Sequence, residues 1–69
     1  MVAEESELVT VARHVAEARI IVARQQQIVA MLTLHGCSTD GAQETLRQFE
    51  TTLEELEEHE RYVRQRSQK

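Results

Sequence analysis

Apolar residues recur through the first half of the chain at alternating steps of three and four. Leu8, Val11, Val15, Ala18, Val22, Val29 and Leu32 keep that rhythm, and Gln25 is the polar member among them. This is the seam of a heptad pattern held for more than three heptads, and it predicts a helix over about residues 3–35. A second series, Ala42, Leu46, Phe49, Leu53, Leu56, Glu60 and Val63, predicts another helix over about residues 39–66, with Glu60 as its polar exception. No two-residue alternation persists, and alanine and glutamine are frequent, so strands are not expected. Proline is absent and glycine occurs twice, at Gly36 and Gly41, which suits long uninterrupted helices.

The stretch "HGCSTDG", residues 35–41, separates the two series. Gly36 stands where the first helix should stop, because glycine adopts the left-handed C′ conformation without a Cβ penalty; Cys37 would then supply the apolar contact that often follows. Ser38 is the favoured N-cap of the second helix, with Asp40 at N2 near the positive end of the dipole. Asp40 as the cap, with Gln43 three residues on, is the competing choice. A turn at residues 36–38 forces the helices antiparallel. The expected fold is therefore all-α: one helical-hairpin domain over residues 1–69, its helices about 40–50 Å long.

The turn also sets a register. Leu32 should lie beside Ala42, Val29 beside Leu46, Gln25 beside Phe49, Val22 beside Leu53, Ala18 beside Leu56, Val15 beside Glu60 and Val11 beside Val63. The expected hairpin core is thus Val11, Val15, Ala18, Val22, Val29, Leu32, Leu46, Phe49, Leu53, Leu56 and Val63. Gln25 opposite Phe49 would help to fix the register, as single polar seam residues do in coiled coils. At the open end Glu4, Glu5 and Glu7 should approach Arg61, Arg64 and Arg66.

The two helices differ in how far their apolar surface extends. The second carries one narrow seam. The first has Ile21 and Ile28 on one flank of its seam, Val9, Ala12, Ala16, Ala23 and Ala30 on the other, and Ile20, Met31 and Leu34 beyond both. One partner helix covers one stripe, and chains below about 70–80 residues seldom build a sufficient core alone. Self-association follows as an expectation: a homodimer packed by its first helices into an antiparallel four-helix bundle, through a face containing Ala18, Ile21, Val22 and Ile28. The same face would also suit an amphipathic helix of an unidentified protein partner.

Composition narrows the function classes. Twelve acidic against eight basic residues give a formal charge of −4, which disfavours nucleic-acid binding or a DNA-associated accessory role, since those rest on cations neutralising phosphate. Phe49 and Tyr62 are the whole aromatic complement, too few for a base-stacking platform. No apolar run approaches the ~20 residues of a membrane span. The acidic opening "MVAEESE" lacks the basic region of a signal peptide. One cysteine forms no internal disulfide and suits a reducing compartment. A cytoplasmic protein is expected.

Candidate chemistry is sparse. His35 and Cys37 form an H-x-C pair, but zinc takes four protein ligands in a structural site and three in a catalytic one. His14 and His59 should lie many turns away near the open end, where Glu60 could accept a hydrogen bond from Arg13 or His14 in a wet polar layer or a pH-responsive contact. Cys37 near a helix start has the setting of a more acidic thiol, yet no Asp or Asn orients His35 as its base. The plain reading is a histidine meeting the helix dipole beside a small apolar thiol. No catalytic residue, cofactor or metal is expected, and the chain reads as a non-enzymatic protein–protein interaction module, a small regulator. The alternative is a metal- or redox-responsive switch centred on His35 and Cys37.

"HVAEA" at residues 14–18, "ARQ" at 23–25, Ile28, Leu32, Gly36, Thr39, Ala42, Leu46, "FETTL" at 49–53 and His59 together resemble a group of short helical-hairpin proteins common in alphaproteobacteria. The likeness covers about residues 14–59. It implies the same hairpin and carries no catalytic motif across. This chain departs from the group where the group is richer in arginine, with Ile20, Ile21, Gln26, Met31 and Thr33, and it has Cys37 and Leu56 at places where the group has histidine. Those departures weaken a shared metal site and imply a more adhesive first helix.

Overall fold

Ser6 starts the first helix. Its backbone is extended (φ −66°, ψ 153°), and its Oγ accepts a hydrogen bond from the Val9 amide at 3.1 Å. One of the four N–H groups that a helix start leaves without an internal partner is thereby satisfied. Glu7 follows in the first turn, where the dipole favours a negative charge. The computed structural model describes residues 6–67. Within them α1 spans Glu7–Leu34 and α2 spans Asp40–Ser67, 28 residues each. The expected start near Ala3 lies outside the described residues. A helix of that length measures about 42 Å. The long dimension of the molecule is 52 Å, so α1 and α2 run side by side, where an end-to-end rod would need about 84 Å. The protein is an all-α antiparallel two-helix hairpin, without a strand among the described residues.

The end of α1 is set by Gly36, as expected. His35 caps the helix, one residue earlier than the expected boundary, and its amide donates to the Met31 carbonyl at 3.1 Å. Gly36 has φ +70°. Its amide donates to the Thr33 carbonyl at 3.1 Å, and the Cys37 amide donates to the Leu32 carbonyl at 2.9 Å. These two bonds make a Schellman motif. The Cys37 thiol, expected to pack back on the helix, is exposed.

The start of α2 corrects both capping choices. The Thr39 carbonyl accepts the first i to i+4 bond, from the Gln43 amide at 2.8 Å, and the Thr39 hydroxyl accepts from Gln43 Nε2 at 2.9 Å. Thr39 therefore occupies the cap position and Asp40 opens the helix. The Ser38 hydroxyl is left with a long 3.5 Å contact from the Asp40 amide. Three consecutive residues able to cap compete here, and the one whose carbonyl enters the helix ladder takes the role. The connection is consequently residues 35–39, longer than the expected turn.

The core lies between the helices. Val11, Val15, Ala18 and Val22 of α1 are buried, as is Val63 of α2; Val15 and Val63 are each 1% exposed. Val29, Leu32, Leu46, Phe49, Leu53 and Leu56 are half-buried. Two cylinders meet along one line, so larger seam residues overhang its sides and keep part of their surface in water. Exposed ion pairs follow the antiparallel pairing: Arg19 donates to Glu57 at 3.0 Å, and Arg66 pairs with Glu7 at the open end. Such pairs contribute about 0–1 kcal/mol and favour orientation more than stability. Arg64 turns instead to Glu60 on its own helix at 3.2 Å, and the expected contributions of Glu4 and Glu5 lie outside the described residues.

Gly36→Ala tests the role given to the turn. A Cβ there would meet nothing within 4 Å, so only the left-handed backbone conformation is penalised. Equilibrium urea unfolding should show a loss of about 1–2 kcal/mol; an unchanged midpoint would remove the Schellman motif from the account.

Candidate interaction surface

The seam of α1 sets what the rest of that helix presents. With 3.6 residues per turn, Ile20 and Met31 point away from the line through Val11, Val15, Ala18 and Val22, while Ile21 and Ile28 stand about a quarter-turn from it. Their exposures are 54% for Ile20, 42% for Ile21, 46% for Ile28 and 60% for Met31. Leu34, at 82%, extends the apolar surface to the end of the helix. Exposed apolar side chains therefore flank Glu17 and Arg24 on the surface of α1 that α2 leaves open. A shallow depression in it is lined by Glu17, Ile20, Ile21 and Arg24.

The contrast with α2 is sharp. Among the described residues, six of the seven large exposed apolar side chains belong to α1, and the seventh is Tyr62. Arg66 sits 5.4 Å from the Tyr62 ring centroid, so that ring already has a cation over its face. The surplus apolar surface is a property of α1.

The four residues expected on the association face divide. Ile21 and Ile28 lie on the outer surface. Ala18 and Val22, expected to serve both the hairpin and the association, are buried against α2, and a side chain enclosed by one neighbour is closed to a second. Ile20 and Met31, outside the seam, are exposed as well. Both were visible in the sequence as apolar residues outside the seam; their separation of eleven residues returns to nearly the same helix face.

Gln25 is buried, and its Nε2 donates to the Ala42 carbonyl in the first turn of α2 at 2.9 Å. A carbonyl has two lone pairs, so one in a helix can accept a side-chain amide besides its own ladder bond. Among the described residues no buried side-chain nitrogen or oxygen lacks a partner. This contact was not legible in the sequence, because its acceptor is backbone.

The turn brings His35 and Cys37 together as exposed residues, with the thiol 3.9 Å from the His35 carbonyl oxygen. Among the described residues no group of three His, Cys, Asp or Glu side chains is placed to hold a metal ion. His59 Nε2 lies 3.9 Å from Glu7, and His14 is exposed on α1. Glu60 accepts from Arg64 at 3.2 Å. No helix among the described residues is long and apolar enough to cross a membrane. No protein-family model matches the chain, and no curated protein or solved structure shows significant similarity to it.

The division of α1 into two faces predicts different outcomes for neighbouring substitutions. Val22→Glu places a charge in the hairpin seam, where burial without a partner costs several kcal/mol. Circular dichroism should show loss of most helix at room temperature. A folded Val22→Glu hairpin would refute the seam assignment.

Proposed function

We propose that this protein is a non-enzymatic protein–protein interaction module, a small regulator that self-associates through the outer face of α1. The observation that carries the reading is the stripe of Ile20, Ile21, Ile28 and Met31, each more than two-fifths exposed. Contiguous apolar patches beyond a few hundred Å² are uncommon on monomeric proteins and mark association sites. The hairpin core is also thin, with five apolar residues buried among those described. Pairing two hairpins by α1 encloses the stripe in a four-helix bundle with α2 on the flanks, which is the usual way for antiparallel helix pairs to complete a core. Each half-exposed isoleucine removed from water would contribute about 1 kcal/mol.

Sedimentation velocity from micromolar to millimolar concentration tests this. The wild-type chain should sediment as a homodimer of twice its 8.0 kDa mass. Ile28→Glu should shift it to monomer while leaving the helical circular-dichroism signal in place. A wild-type chain that stays monomeric throughout would overturn the reading.

A further inference from the structure

Glu17, Ile20, Ile21 and Arg24 occupy positions i, i+3, i+4 and i+7 of α1, so they share one face. They line the depression on it. Glu17 and Arg24 are exposed, and neither pairs with another described residue. Arg19, Arg47, Arg64 and Arg66, by contrast, each meet a carboxylate. Thus two opposite charges about 10.5 Å apart along the helix bracket two isoleucines.

We propose that two copies of the chain join α1 to α1 in antiparallel fashion, about a two-fold axis passing between Ile20 and Ile21, with Glu17 of each copy paired to Arg24 of the other. The proposal rests on the reading of the outer α1 face as a self-association surface and specifies its geometry. In a two-fold interface each residue meets the one equally far beyond the axis, so the surface must complement itself. Glu17 and Arg24 stand at equal distances on either side of the Ile20–Ile21 midpoint. The operation therefore creates two ion pairs from one, and lays Ile20 of one copy on Ile21 of the other between them. Ile28 then falls opposite the aliphatic stem of Arg13 from the second copy.

The competing arrangements fail on charge. Parallel helices would set Glu17 against Glu17 and Arg24 against Arg24. An antiparallel axis moved to Arg24 would bring Ile20 over Ile28, but would place the two Arg24 guanidinium groups together at the centre of the contact. Like charges facing each other there disfavour the pairing, and more strongly as water is excluded.

Sedimentation equilibrium on the full chain distinguishes these geometries. Glu17→Arg and Arg24→Glu should each weaken the homodimer by about tenfold, since each turns two attractions into two repulsions. Mixed in equal amounts, the two variants should form a heterodimer of near wild-type affinity, and the double variant should recover the homodimer. Both sites are exposed, and circular dichroism should confirm that each variant stays folded. Spin labels on the native Cys37 supply an independent reading: the proposed axis separates the two turns by about 40 Å, whereas parallel helices would hold them within about 20 Å. If the wild type dimerises but Glu17→Arg leaves its affinity unchanged, or the labels lie close together, this geometry is wrong while self-association stands. A monomeric wild type would overturn both.

Discussion

A helix can hide one face against a single neighbouring helix, and α1 has two apolar faces. Val11, Val15, Ala18 and Val22 use the first against α2. Ile20, Ile21, Ile28 and Met31 make up the second, and no other part of the described chain reaches it. The proposed association rests on this mismatch between one helix with a single apolar stripe and one with exposed apolar residues beyond its seam. A helix of the latter kind normally belongs in the interior of an assembly.

The hairpin settles which face is consumed within the chain. Gly36, in its left-handed conformation, turns the backbone and satisfies the last carbonyls of α1. Thr39 then receives the first bond of α2. Gln25 adds a directional contact, since its amide must find the Ala42 carbonyl when the helices close. A sliding or rotated seam would leave that buried amide without its partner, a loss of about 1–3 kcal/mol. With the seam held in this way, the Ile20 side of α1 faces outward by geometry.

The spacing of Val11, Val15, Ala18 and Val22 made the first helix and its buried stripe legible in the sequence, because a three-and-four rhythm has one structural meaning over that length. Gly36 was equally legible as a stop. Ser38, Thr39 and Asp40 could not be ranked from their side chains, since all three can accept from a helix amide and the choice depends on which carbonyl enters the ladder. Ser6 was not legible as the start of α1, since the apolar rhythm carries no mark of where the backbone leaves its extended conformation. Ala18 and Val22 looked equally suited to the hairpin and to association, because a heptad seam is the same whichever helix fills it. Packing removed the ambiguity and moved the candidate surface to Ile20 and Met31.

If the outer face of α1 joins a second copy as proposed, the hairpin gains a core and a partner in the same event, and its folding and assembly are linked. The direct test of that idea is whether the outer face of α1 is wet in solution. Hydroxyl-radical footprinting of the native chain at high concentration should find Ile20, Ile28 and Met31 protected, with reactivity rising on dilution. If all three are labelled equally freely at every concentration, the second face of α1 has no occupant and the account fails.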